Sequence, residues 1–473
     1  MKQRVRYLAV FVSLMAFVPL TGRGGKFAWK LPAGFDVRAK QHIETLVKIG
    51  PRPTGSMNES RAADYIAVQF NAMGIAAAIE PFAFESFEPT EIELKIGGRD
   101  FAPVGLGMDP YAGMLSYSGA SVPLDPRAPT QWPVSAAVAG KAVVTAAEGD
   151  TTLHFRIMAL QPLFIIDLAR TDFDTVMGFG SGELTLVVRG GLVKGISRNV
   201  IAHVGAQEPA PQIIIGAHLD AFRDCPGAND NATGVAALLE LARYVQGAAV
   251  PEGIGMTFIA FGGEESAILG SRNYAENHAK ELQYCSLALV FDDLGGDGPV
   301  HVERNGGRLD QPKNPGIGNI PQAFRGKSWG GLHFPWMLLP PVDLLAALGY
   351  SYHPAWLTAS IDEAVKDLDF PVQFTPIQGS DQTSFAQAGI VTSGISAVNG
   401  RGHTQSDRPE TVNIDKVRQC VETAIRILEK IWAHLRLSSV NAFSGSPSYS
   451  VADTQTASTW IKNDYPSGSI LAW

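Results

Sequence analysis

Cysteine is scarce in this chain: Cys225, Cys285 and Cys420 are the three that occur in 473 residues. An odd, widely spaced set excludes a disulfide framework and a closely spaced cysteine knuckle, leaving room for one disulfide and one free thiol. An excess of positive charge is lacking too. Lys and Arg total 38 against 46 Asp and Glu, a formal net charge of −8, which argues against nucleic acid as a partner. Internal repeats are absent. The apolar run from Tyr7 to Leu20 falls short of the roughly 20 residues that a spanning helix needs. It follows Lys2, Arg4 and Arg6 and is followed by Gly22, Gly24 and Gly25, the layout of a secretory signal. Residues 1–25 are therefore expected to act as a signal peptide or an N-terminal anchor. The expected location is periplasmic, extracellular or anchored on the outer face of a membrane, which the chain would touch only through that anchor. No cysteine follows the run, which argues against lipid attachment there.

What is present is the composition of an ordinary globular protein, 45% hydrophobic and 18% charged. Its length exceeds what one core usually serves, so one large domain with an insertion, or two domains, is expected. Phe35 to Gly50 and Ser60 to Gly74 show apolar residues at helical spacing around the turn sequence Gly50-Pro51-Arg52-Pro53-Thr54-Gly55-Ser56. From residue 92 to 196 short strand-like runs, such as Lys141 to Val144 and Leu184 to Val188, are broken by Gly, Pro and Ser, and read as a β-rich insertion. Strands and helices then alternate: Gln212 to Gly216, Thr233 to Val245, Gly255 to Gly262, Ser271 to Lys280, Leu287 to Phe291. That order implies an α/β fold, a three-layer α/β/α sandwich with a mixed, mostly parallel central sheet. Residues 26–91 and 197–437 would form this discontinuous domain, closing on a helix from Ile414 to Leu437, and the Ser/Thr-rich tail 438–473 is expected to be poorly ordered. A Gly/Pro-rich stretch from Gly295 to Pro341 reads as a long excursion over the sheet rim.

Acids and histidines collect where the strands end, the side on which such sheets place their chemistry. His218 and Asp220 follow the strand Ile213 to Gly216 on one face, so that Asp220 can orient the imidazole. Taken alone, His218 reads more readily as a structural histidine. Asp230 lies in the turn Gly227 to Gly234, where capping a helix competes evenly with binding a cation, and where Asn231 or Thr233 can cap free amides. Glu264 and Glu265 follow a strand and two glycines. They could be solvated acids at a helix start, yet side by side at a buried edge they repel unless cations or protons offset them. Asp292 and Asp293 follow Phe291, and His403 lies in a polar loop where a lone histidine is ordinarily exposed. Together they give mixed nitrogen and oxygen donors, which suit zinc better than magnesium or calcium.

These blocks, in this order, resemble the co-catalytic zinc exopeptidases of metallopeptidase family twenty-eight. The resemblance rests on Gly50-Pro51-Arg52, Gly216-Ala217-His218-Leu219-Asp220, Gly227-Ala228-Asn229-Asp230-Asn231, Gly262-Gly263-Glu264-Glu265 and Gly402-His403-Thr404. It implies two zinc ions per chain bridged by Asp230, one completed by His218 and Asp292 and the other by Glu265 and His403. It also implies Glu264 as the general base and Asp220 as the partner that orients His218. Asp292 is preferred to Asp293 because the family's ligand directly follows the strand. The β-rich part, with Val138 to Val144, looks like a protease-associated insertion. The sequence departs from the family where Ser-Asp-His is usual and Ser380-Asp381-Gln382 stands. Ile377 lies near the usual place of an oxyanion-stabilising tyrosine, for which Tyr352 is a distant substitute.

The implied activity is removal of the N-terminal residue of a peptide. A carboxypeptidase for acidic dipeptides would instead need cations such as Arg304, Arg308 and Arg325 to hold a terminal carboxylate. A single-zinc glutaminyl cyclotransferase is a third reading, and an inactive receptor-type homologue is disfavoured by the intact set of acids.

Overall fold

The central strands are almost wholly apolar because they are covered on both faces. Strand β8 (Gln212–His218) is buried at every position, and β9 (Gly255–Phe261) and β10 (Cys285–Phe291) nearly so. The computed structural model describes residues 31–443, apart from 107–113, 134, 139–140, 147–156, 158–163, 181, 249, 267, 305–352 and 376–378. Everything below concerns the unit from Pro32 onward. The expected signal, most of the excursion after Gly295, Arg308, Arg325, Tyr352, Ile377 and the tail beyond Phe443 lie outside the described residues.

Strands β8, β9, β10 and β13 (Thr392–Ser396) form a parallel centre in the order β13–β10–β8–β9. On one side β11 (Val300–Glu303) joins β13 antiparallel and β12 (Val372–Thr375) joins β11 parallel. On the other, β7 (Glu183–Gly205) lies antiparallel to β9, and β1 (Ala77–Ile96) antiparallel to β7. Helices cover both faces, as strand alternation requires. In β9 the Phe258 ring meets Phe70 of α2 (Met57–Ala72) at 6.3 Å. Phe261, on the opposite face, meets Tyr274 at 6.4 Å and Phe385 at 5.8 Å. This is the expected α/β/α sandwich with a mixed sheet.

The first helix, α1 (Phe35–Ile49), ends at Gly50, whose φ of 105° suits glycine. The next begins with a reciprocal cap: Ser56 Oγ accepts from the Glu59 amide at 3.1 Å, and Glu59 Oε2 accepts from the Gly55 amide at 2.7 Å. The expected two helices and structured loop are therefore present. Between β1 and β7 lie β2 (Arg99–Phe101), β3 (Pro103–Leu106), β4 (Met114–Pro123), a short α3 (Ser135–Val138), β5 (Ala142–Ala146), β6 (Phe164–Leu168) and α4 (Arg170–Phe179). Together with the facing ends of β1 and β7 these pack a separate apolar cluster that includes Val144, Ile166, Phe173 and Leu186. Strands β1 and β7 run unbroken from the central sheet into this lobe, across both 92 and 197.

In the remainder α5 (Gly234–Ala248) follows β8, and α6 (Leu269–Asn277) follows β9. The short α8 (Gln382–Gln387) follows α7 (Ala355–Lys366), and α9 (Ile414–Phe443) continues past Leu437. The register pairs His218 with Phe261 and Gly216 with Val290, so β8, β9 and β10 end side by side. The segments that leave those ends carry the site.

Candidate metal centre

Three neighbouring strand ends explain the first four contributors. His218 closes β8, Glu264 and Glu265 follow β9 after Gly262 and Gly263, and Asp292 follows β10. His218 is buried, its side chain 1% exposed, with Nε2 3.2 Å from Asp230 Oδ1 and 3.3 Å from Asp292 Oδ1. Its other nitrogen, Nδ1, faces Asp220 Oδ1 at 3.4 Å. Asp230 turns its second oxygen the opposite way: Oδ2 is 3.2 Å from His403 Nε2, which lies 3.0 Å from Glu265 Oε2. Two groups of donors thus share one carboxylate, each using one of its oxygens.

The neighbouring acid, Asp293, takes a left-handed φ of 57° and accepts from Asn229 Nδ2 at 2.6 Å, so Asp292 is the one that meets His218. Asn231 Oδ1 accepts from the Gly234 amide at 2.9 Å, so the expected cap on α5 comes from Asn231 and leaves Asp230 to the site. The Asp230–Asn231 peptide is cis. His403 is exposed as a loop histidine ordinarily is, its side chain 44% accessible, but the loop is tied down. The His403 ring stacks on Phe222 with centroids 4.6 Å apart, Cys225 Sγ donates to the Thr404 carbonyl, and the Asp407 carboxylate accepts from the amides of Asn229 and Asp230 at 2.7 and 3.0 Å. Gly402 passes so close that a Cβ would lie 2.9 Å from Asp230 Oδ2.

Asp220 contacts three neighbours besides His218. It accepts from the amides of Glu264 at 3.1 Å and Glu265 at 3.2 Å, and from Thr54 Oγ1 at 3.0 Å, and Ser266 Oγ donates in turn to Thr54. Burial pulls the His218 imidazole down, but the surrounding carboxylates of Asp292, Glu264, Asp220 and Asp230 outweigh it and hold its pKa well above the usual value. The desolvation that packing imposes on the His403 ring is likewise outweighed by Glu265 and Asp230, which hold its pKa well above the usual value. For Asp230 burial is outweighed by its bonds to the two imidazoles, and the carboxyl is strongly depressed. Burial, with Asp292, Glu265 and Asp381 nearby, pushes the Glu264 carboxyl well up.

The donor set fits a cation. Ligand atoms of His218, Asp230 and Glu265 lie within 4.8 Å of one another, and buried Glu265 Oε1 has no hydrogen-bond partner. Nitrogen with carboxylate oxygen is a zinc-type combination. Sequence reasoning did not assign Arg52, Thr54, Phe222 or Asp407. Their neighbours in space are distant in sequence, and the one local signal was the placement of Arg52 beside the Gly50-Pro51 turn.

Residues 199–313 match the model of peptidase family M28. The chain is 35% identical over 127 residues to the probable lipoprotein aminopeptidase LpqL of Mycobacterium tuberculosis, covering 27% of this chain and 25% of that one. It is 37% identical over 105 residues to the aminopeptidase YwaD of Bacillus subtilis, covering 21% and 22%. The chain thus spans about a quarter of the length of these curated relatives. Its fold is similar to that of the aminopeptidase from Aneurinibacillus sp. strain AM-1, with a TM-score of 0.52 and 21% identity over 82% of this chain and 93% of that one.

Proposed function

We propose that the chain belongs to peptidase family M28, whose model its residues 199–313 match, and that it is a zinc-dependent exopeptidase that removes the N-terminal residue of peptides. The observation that carries this reading is the division of Asp230, one oxygen toward His218 and the other toward His403. On this reading His218 and Asp292 would hold one zinc ion and Glu265 and His403 a second, with Asp230 contributing to both. Zinc held there supplies Lewis acidity toward water and the scissile carbonyl.

The chain's own groups do the rest. Asp220 faces Nδ1 of His218 and so keeps Nε2 directed at the shared carboxylate. By accepting the amides of Glu264 and Glu265 it also fixes the turn that carries both. Glu264 takes the proton of the attacking water and returns it to the leaving amine, a task suited to a carboxyl that burial holds above the ordinary carboxylate range. The surrounding acids suit a substrate with a free α-amine. Arg304, a cation that a carboxypeptidase would need for a terminal carboxylate, is instead bound by Asp362 through two contacts of 2.7 and 2.6 Å, which favours the aminopeptidase. The lobe between β1 and β7 is read as a protease-associated-like insertion, supported by its separate apolar cluster. Export is supported by the basic and apolar residues at the N-terminus. No helix among the described residues is long and apolar enough to cross a membrane.

The test is zinc content per chain together with hydrolysis of an aminoacyl chromogenic amide, before and after chelation and in Glu264→Ala. Two zinc ions, loss of activity on chelation, and a loss of roughly 10²–10⁴-fold in kcat with zinc retained in the variant are expected. One zinc without amide hydrolysis would support the cyclotransferase, and no zinc would remove the site.

A further inference from the structure

Arg52 is wholly buried, the largest side chain among the described residues to be so. Among the described residues no carboxylate hydrogen-bonds its guanidinium, which donates to backbone carbonyls. Nε bonds to Leu219 at 3.0 Å, Nη1 to Leu46 at 3.2 Å and Pro226 at 3.1 Å, and Nη2 to Gly227 at 2.9 Å. Its own carbonyl accepts from the Ala221 amide at 3.1 Å. Leu46 belongs to the last turn of α1, whose carbonyls have no partner within the helix. The other three carbonyls stand at the two feet of the segment that joins His218 to Asp230. Gly227 admits this contact because it has no side chain: a Cβ there would lie 2.8 Å from Nη2, and its φ is +66°.

We infer that Arg52 is a positioning residue for the metal centre, fixing the separation of His218 and Asp230 by tying both feet of the 219–227 segment to the end of α1. The inference rests on the zinc reading above. A planar fork with five N–H donors can reach several carbonyls that diverge from one another, whereas an ammonium on a flexible stem cannot hold the same set. Geometry and charge make opposite demands. A fixed positive charge near the site opposes cation binding, so removing it for charge alone would tighten zinc binding, whereas losing the tether would loosen it. The sign of the change in affinity therefore identifies which role Arg52 plays.

The experiment measures zinc affinity of the metal-depleted full chain by competition with a chelating dye, for wild type, Arg52→Lys, Arg52→Ala and Arg38→Met. Arg38 pairs with Glu240 through bonds of 2.7 and 2.5 Å, apart from the zinc donors, and its variant reports what loss of stability alone does. Expected are zinc binding weaker by about 10–100-fold both in Arg52→Ala, which removes charge and tether together, and in Arg52→Lys, which keeps the charge, as for loss of an outer partner of a metal ligand, partial restoration of Arg52→Ala by ethylguanidinium but not by ethylamine, and unchanged affinity in Arg38→Met despite a lower Tm. Tighter binding in Arg52→Ala or wild-type affinity in Arg52→Lys would overturn the inference, as would an equal loss in Arg38→Met. Failure of wild type to take up zinc would instead overturn the reading of the site.

Discussion

The two histidines of the centre are held by different means. His218 ends a buried strand, its position set by the ladder of β8 with β9 and β10, and its side chain is 1% exposed. His403 sits in a loop at a left-handed φ of 61° with its side chain 44% exposed, and side chains do the holding: Phe222 against its ring, Asp407 under the Asp230 turn, Cys225 on Thr404. A sheet can thus place one half of a shared site through backbone register, while the other half needs a clamp assembled from distant residues. The first half should resist local change and fail globally; the second should fail locally.

The largest expected effect tests this directly. In the metal-free protein His218→Ala leaves buried Asp220 and Asp230, and half-buried Asp292, without their common partner, and a loss of about 3–5 kcal/mol in unfolding free energy is expected. His403→Ala, screened by solvent, should cost about 1 kcal/mol or less. Both should lose zinc at their own side. Equal losses of stability by urea denaturation would break the distinction.

Next comes the clamp. Asp407→Ala leaves the amides of Asn229 and Asp230 buried without an acceptor, an expected loss of about 2 kcal/mol, with Asp407→Asn recovering part of it because one acceptor oxygen remains. If zinc uptake in Asp407→Ala matched wild type, the loop would not depend on this clamp. The smallest effect concerns pH on the strand-held side. Burial and the neighbouring Asp220 push the Glu59 carboxyl up to about 8 from an ordinary value of 4.5. A raised carboxyl pKa disfavours the folded state as pH rises, so this contribution declines between pH 4.5 and 8. Glu59→Gln, which keeps an acceptor for Gly55 and a group that can meet Ser197, should flatten that decline, seen as a Tm gain over wild type that is larger at pH 8 than at pH 5. A gain independent of pH would assign the effect to packing.

Much of this was legible beforehand. Apolar strands ending in His218, Glu264, Glu265 and Asp292 announced both the sheet and the rim on which those residues stand, because strand period and strand ends are local properties. The choice of Asp292 over Asp293 rested on resemblance, and the geometry that separates them, one carboxylate on His218 and the other on Asn229, is tertiary. The helix α4 and the continuity of β1 and β7 into the β-rich lobe were not foreseen, since a lobe boundary depends on which strands pair.

The sequence by itself determined the strand–helix alternation, the acids and histidines at the strand ends, and their suitability for zinc, since each depends on residue type and on spacing within a few positions. Only the tertiary structure decided that Asp230 turns a different oxygen to each of His218 and His403, that Phe222, Cys225 and Asp407 hold the exposed loop of His403, and that Arg52 binds backbone rather than acid. Those relations join residues far apart in the chain, and no local pattern records which carbonyl or carboxylate folding will bring within 3 Å.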